Sequence, residues 1–159
     1  MFTIREARET DVPAIGQLIR ELAEYERLAY EAVASESMLR ETLFGTRRYA
    51  EVLMGETGDA VAGFALFFHN YSTFVGKPGI YVEDVFVRPA HRGRGLGTAF
   101  FRRIARLAVD RGCGRMEWAV LDWNEPALNF YRKIGATPLS DWTTQRLVGD
   151  GLLRLAGQP

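Results

Sequence analysis

Two adjacent carboxylates, Glu83 and Asp84, interrupt the otherwise apolar stretch "GIYVEDVFV" at residues 79–87. A carboxylate in a central strand carries a desolvation cost that packing seldom offsets, and such groups gather where protons are moved. Strand alternation places Glu83 with Tyr81 and Val85 and sends Asp84 to the opposite face. Directly after this stretch comes "RPAHRGRGLG", in which Gly93, Gly95 and Gly97 alternate with Arg94 and Leu96. In the order strand, glycine-rich turn, helix, the first amides of the helix are unpaired and point outward with the positive end of its dipole, so the turn is an anion-binding candidate.

Which anion it holds depends on spacing. A P-loop needs four residues between its glycines and then a lysine, whereas Thr98 follows Gly97. A dinucleotide fingerprint needs G-x-G-x-x-G near the start of its domain, and this stretch reads G-x-G-x-G far along the chain. Two readings remain: a tight turn that packs a helix on a sheet, or an anion site of another kind.

Composition narrows the setting. With 159 residues, 47% of them hydrophobic, the chain fits one compact domain able to bury well over half of its unfolded surface. Twenty basic residues balance twenty acidic ones, which disfavours general recruitment to nucleic acid or an anionic membrane, while arginines between Arg88 and Arg115 favour a local anion site. The lone Cys113 has no disulfide partner, and no Cys/His set has metal-ligand spacing, so no metal is expected. No apolar run is long enough to span a membrane, and "MFTIREARETD" does not read as a signal peptide. A cytoplasmic location is expected.

The elements that must position these groups follow from periodicity. "FTIREAR" alternates as a strand; Thr10 and Asp11 offer an N-cap to a helix from Asp11 to about Ala23, with Ile15, Leu18, Ile19 and Leu22 on one side. A short helix from Ser35 to Phe44 stops at Gly45, and "YAEVLMGE" and "AVAGFALFFHNY" form a hairpin turned by Gly58 and Asp59. After the strand that carries Glu83, a helix runs from Leu96 to Arg111 and stops at Gly112. "RMEWAVL" reads as a strand, residues 124–134 as a helix capped by Asn124, and "WTTQRLV" and "LLRLA" as closing strands. The class is α/β: a mixed, mostly antiparallel central sheet flanked by helices.

The turn gains meaning from its neighbours. Arg92-x-x-Gly95-x-Gly97, preceded by "VFVRP" and followed by "NEPALNFYRKIGA", resembles the acyl-CoA signature of the GNAT N-acetyltransferases. "RELAEYE", "GKPGIYVEDVFV", "RGRGLGTAF" and "WNEPALNFYRKIGA" are similar to the diamine (spermidine/spermine) acetyltransferases and their thialysine-acetylating relatives. The resemblance runs from Phe2 to about Arg154. It implies the GNAT fold as a single domain over residues 1–159, acetyl-CoA as cosubstrate, and direct transfer to a primary amine.

Residue by residue, the resemblance implies that the CoA pyrophosphate lies on the turn formed by Arg92, Gly93, Arg94, Gly95, Leu96 and Gly97, and that the pantetheine arm pairs with the backbone of Phe86 and Val87. Asn124 matches a residue that contacts this arm, but is equally the N-cap of its helix. Tyr131 matches the general acid beside the sulfur; its alternative role is an aromatic packed with Phe130 or Ile134. Glu83 is nominated as the base, acting through water, with Asp84 assisting or structural. Tyr25 and Glu26 match an aromatic and acidic rim for a cationic substrate.

Ser72 and Phe74 stand where the polyamine enzymes carry an acidic residue and a tryptophan, so a small, diamine- or lysine-like amine is expected over spermine. The subgroup further implies a homodimer built through about residues 142–155. Two rivals remain open on sequence: a CoA-binding module of the same fold without turnover, and a protein or peptide acetyltransferase.

Overall fold

The computed structural model describes residues 1–58 and 60–158, which form two compact units, Met1–Ala119 and Val120–Pro159. The first unit contains a five-stranded sheet of β1 (Thr3–Glu6), β2 (Glu51–Thr57), β3 (Ala60–Ser72), β4 (Lys77–Val87) and β5 (Met116–Glu117), in that spatial order. β1 to β4 pair antiparallel in succession, and β5 runs parallel to β4. Asp59, expected to turn the β2–β3 hairpin with Gly58, lies outside the described residues.

Alternation along β2 divides the core in two. Val52 and Met54 pack with Val12, Ile15, Leu18 and Leu22 of α1 (Val12–Tyr25) and with Leu39 and Leu43 of α2 (Glu36–Phe44). Leu53 packs on the other face with Leu96, Phe100, Ile104 and Ala108 of α3 (Leu96–Asp110). The expected mixed sheet between helical layers is therefore present, and α3 supplies the crossover between parallel β4 and β5. Ser35 caps α2 by accepting the Met38 N–H at 3.2 Å. Asp11 precedes α1 but makes no side-chain cap; its carboxylate accepts Arg5 at 2.7 and 2.9 Å and the Arg8 N–H at 2.7 Å.

A register shift in β4 governs the site. Leu66 pairs with Asp84 but the next residue, Phe67, pairs with Val82, so Glu83 is the extra residue of a β-bulge. The expected facing of this segment is corrected accordingly. Val82 and Val85 both pack toward α3, whereas Tyr81 stacks on Phe68, so Glu83 cannot share a face with both Tyr81 and Val85. Asp84 lies opposite Leu66 and shares the α1 side with Phe86.

The second unit contains α4 (Glu125–Lys133) and α5 (Gly149–Leu155). The expected closing strands are absent: "WTTQRLV" forms no described strand, and "LLRLA" lies mostly in α5. A run as short as Leu152, Leu153 and Leu155 fits either period, so the pattern alone did not decide between strand and helix. The expected strand "RMEWAVL" shortens to Met116–Glu117, which pairs only with Ile80 and Tyr81. Just beyond Tyr81 the bulge bends β4, and the parallel ladder ends.

Candidate functional site

The end of β4 is anchored before the turn begins. Arg88 donates to Glu21 of α1 through Nε and a terminal nitrogen, both at 2.8 Å, and to the Val61 carbonyl at 2.8 Å. Gly93 and Gly95 then take φ of 74° and 86°, a left-handed backbone that excludes most other residues, and Gly95 is the N-cap of α3. Gly97 is different. It has helical backbone, and an added Cβ would meet nothing within 4 Å, so the fold itself does not require glycine there. A helix loses roughly 0.5–1 kcal/mol by placing glycine where alanine fits. The opening above Gly97, with first-turn amides that have no intrahelical acceptor, suits close approach of an anionic group such as a pyrophosphate.

Arg92 bridges this turn to the neighbouring groups. Its Nε donates to the Val87 carbonyl at 2.8 Å, and its guanidinium lies 4.7 Å from the Tyr25 ring centroid and 5.7 Å from that of Phe86. The structure thus brings together Tyr25, Phe86, Val87 and Arg92 from three parts of the sequence. The Phe86 side chain is buried in the core beside α1, which leaves its backbone as the part able to meet a ligand. Because β5 pairs only as far as Tyr81, the segment from Glu83 to Val87 has no parallel-ladder partner among the described residues.

The carboxylates gather next to these residues. Asp84 is half-buried, and its carboxyl is pushed up to about 7, first by burial, then by the charges of Glu83 and Glu26. Burial also raises Glu26, which follows Tyr25 at the C-terminal end of α1. Glu83 is exposed at the bulge. The Tyr81 phenol is raised first by burial and then by the charges of Glu83 and Glu117. The charges of Glu83 and Glu26 both bear on Asp84, so these three carboxylates make an acidic surface able to hold a cation, and Asp84 is the group poised to exchange a proton near neutral pH. Phe74 is not part of it: the ring is 99% exposed at the β3–β4 tip, where the buried Ser72 hydroxyl accepts the Val75 N–H at 3.3 Å.

In the second unit, Asn124 is 7% exposed and its side-chain oxygen accepts the Ala127 N–H at 3.4 Å, so the helix-capping role is real. Half-buried Tyr131 lies on α4 with its ring centroid 5.5 Å from that of Phe130.

The acetyltransferase (GNAT) family matches residues 18–136. The chain belongs to that family. The mouse thialysine N-epsilon-acetyltransferase is 39% identical, with 98% of this chain and 97% of that protein covered. The L-ornithine N5-acetyltransferase of Arabidopsis thaliana is 37% identical over 96% of this chain and 87% of its own. Among solved structures, an integron cassette protein from V. cholerae superposes with a TM-score of 0.82 at 26% identity, covering 98% of this chain and 97% of that one. The fold is accordingly the GNAT fold, and the protein is an acetyl-CoA-dependent N-acetyltransferase.

Three features of this acetyltransferase escaped the reading of its sequence. The bulge was signalled by a change of parity: Ile80 and Val82 pack toward α3 at even positions, then Val85 and Val87 at odd ones. The stacking of Arg92 had no signal, because it depends on where α1 ends. The third is a polar group on β5, where Glu117 Oε1 accepts Arg115 Nε at 2.6 Å and Asn70 Nδ2 at 3.2 Å. Its signal was Gly79 inside a strand, a residue that marks close approach.

Proposed function

We propose that this enzyme acetylates the primary amine of a small cationic substrate, a diamine or a lysine-like amine, in preference to a long polyamine. The observation that carries the proposal is the acidic surface of Glu26, Glu83 and Asp84 beside Tyr25 and Arg92, at the end of the glycine turn. The names of the relatives support the same class, since thialysine and ornithine are short amines that carry a second charged end.

The turn from Arg92 to Gly97 would hold the CoA pyrophosphate by backbone amides, with Arg92 and Arg94 adding charge, and the backbone at Phe86 and Val87 would meet the pantetheine arm. Asn124, which also caps α4, would contact the same arm. Acetyl-CoA, when bound, supplies the acetyl group and a thiol leaving group. An alkylamine with a pKa near 10.4 is protonated at pH 7, and its deprotonation costs roughly 4 to 5 kcal/mol. Glu83, exposed at the bulge, would take that proton through water, and the neighbouring Asp84 carboxyl would share it. Tyr131 would protonate the departing thiolate. Tyr25 and Glu26 would line the entrance for the cation, whereas Phe74, exposed at the β3–β4 tip, lies outside it.

We further infer that both units act as one domain, because the family match crosses the boundary between them. A homodimer is supported by the exposure of Trp142, Val148 and Leu155 in the C-terminal segment; a monomer by light scattering at micromolar concentration would reject it. No described helix is long and apolar enough to cross a membrane. The reading places the enzyme in the cytoplasm, where acetyl-CoA is available.

The test is turnover of acetyl-CoA against a panel containing ornithine, lysine, thialysine, putrescine, spermine and peptides with free N-termini. Short amines are expected to have the highest kcat/KM. Preference for spermine over every short amine would reject the substrate class. Acetylation of peptides alone would favour the protein-modifying rival, and CoA binding without turnover of any amine the silent module.

A further inference from the structure

The polar group on β5 has no part in the chemistry described so far. We propose that Arg115 and Glu117 read the α-amino-acid end of the substrate, Glu117 accepting hydrogen bonds from its α-ammonium and Arg115 donating to its carboxylate. The assignment rests on the amine acetyltransferase reading above and narrows its substrate to an α,ω-diamino acid.

Position is the first argument. Glu117 pairs with Tyr81 across the parallel ladder, and Glu83 follows Tyr81 by two residues along β4. Strand spacing and rise place the two acidic positions about 8 Å apart on the sheet, a span suited to the alkyl chain between the two ends of such a molecule. The side chains also share a face. At Gly79 an added Cβ would overlap Asn70 Oδ1 and press on Arg115 Cγ, so both side chains cross the sheet above Gly79, two residues before Tyr81. The Tyr81 phenol senses both Glu83 and Glu117, which links the reactive end of the surface to the polar end.

Charge is the second argument. Glu26, Glu83 and Asp84 already suffice to attract an ammonium, and a purely acidic groove would serve a diamine at both ends. Here the far end carries a guanidinium 2.6 Å from the Glu117 carboxylate. A second ammonium arriving there meets a like charge, whereas an ammonium and carboxylate on one carbon meet an opposite charge each. Arg115 Nε and Asn70 Nδ2 both converge on Oε1 of Glu117, holding the carboxylate so that Oε2 can accept the incoming ammonium. Arg115 is exposed and keeps terminal nitrogens for a carboxylate.

The experiment compares matched pairs that differ only in the α-carboxylate: ornithine with putrescine, and lysine with cadaverine. Both kcat/KM and calorimetric affinity for the CoA-loaded enzyme are measured in wild type, Arg115→Gln and Glu117→Gln, with melting curves to verify folding. Wild type should favour each amino acid over its decarboxylated partner by about 10-fold or more. Arg115→Gln should lower that ratio by about 10- to 100-fold, the loss expected for one charge-assisted bond, and Arg115→Lys by less. Glu117→Gln should weaken ornithine more than its analogue lacking the α-amino group. Equal affinity of wild type for both members of each pair, or a ratio that Arg115→Gln leaves within twofold, would overturn the proposal. Absence of turnover with every amine would instead strike the transferase reading, and the affinity ratios would still judge Arg115 and Glu117.

Discussion

The glycine turn and the bulged strand lie next to each other in sequence, yet they are built on opposite plans. From Gly93 to Gly97 the turn offers backbone, and side chains are kept out by left-handed φ at Gly93 and Gly95 and by an unfilled space over Gly97. At Glu83 and Asp84 the strand offers side chains, and the backbone yields by a bulge so that Val82 and Val85 can both pack toward α3 while Asp84 stays on the α1 side. A site made of amides tolerates little added bulk but is insensitive to pH. A site made of carboxylates tolerates isosteric change but is governed by protonation.

Substitution at the turn should produce the largest effect. Gly97→Asp leaves the helix free to form, since nothing stands within 4 Å of the new Cβ, yet sets a negative charge where the pyrophosphate would lie. Like-charge contact costs several kcal/mol, so CoA affinity measured by calorimetry should fall about 100-fold or more while the fold persists. Wild-type affinity in this variant would remove the turn from the cofactor site. In the wild type, CoA and acetyl-CoA should raise Tm, whereas NAD and ATP should not.

The chemical groups should show a smaller effect that is conditional on pH. Glu83→Gln is expected to lower kcat/KM roughly 10- to 100-fold near pH 7 and to recover part of the loss at high pH, where the amine is already deprotonated. A ratio to wild type that stays flat with pH would exclude Glu83 as the base. Tyr131→Phe retains the ring beside Phe130 and should lower turnover by a similar factor without weakening CoA. Unchanged turnover would return Tyr131 to a packing role.

The same comparison separates what could be read in the sequence from what could not. Helices α1 to α4 and the first four strands were legible because each repeats its apolar residues at its own period. The turn was legible because alternating glycines between a strand and a helix have few uses. Facing at Glu83 was misread because strict alternation was extended through a segment whose own valines change parity. Asp11 was correctly placed before α1 but not as a cap, because its oxygens are claimed by Arg5 on β1 and by Arg8. The closing strands failed because short leucine-rich segments do not choose helix or strand by composition alone.

Stability against pH offers a next test, since Asp84 and Asp11 are displaced in opposite directions. Asp84 is raised to about 7 from an ordinary value of 3.8, so the folded state binds a proton that the unfolded state has released. Its contribution is intact below about pH 4 and is lost as pH rises to about 7. Asp84→Asn should therefore be neutral near pH 4 and stabilising above pH 7, by about 1 to 3 kcal/mol after allowance for its partial exposure. Asp11 is held below the usual carboxylate range, first by its hydrogen bonds from Arg5. Its stabilisation is present at neutral pH and lost as pH falls, so Asp11→Asn should destabilise at pH 7. Urea titrations from pH 4 to pH 8 would show the two variants diverging; parallel curves would contradict the assigned environments.

The smallest effect is the sharpest for the comparison, because one substitution should improve the fold and impair the site. Gly97→Ala adds a methyl group in open space on a helix whose backbone at that residue is already helical. Removing a glycine reduces the freedom of the unfolded chain and suits the helix, which together should stabilise the ligand-free enzyme by roughly 0.4–1 kcal/mol. The same methyl would stand between the amides and a bound phosphate group, so CoA affinity should fall several-fold and the rise in Tm on adding CoA should shrink. A variant that gains stability and loses affinity would show that this glycine is kept for what approaches it from outside. If Gly97→Ala gained stability and bound CoA as tightly as the wild type, the space over Gly97 would have no part in holding the cofactor, and the contrast between turn and strand would have to rest on Gly93 and Gly95 alone.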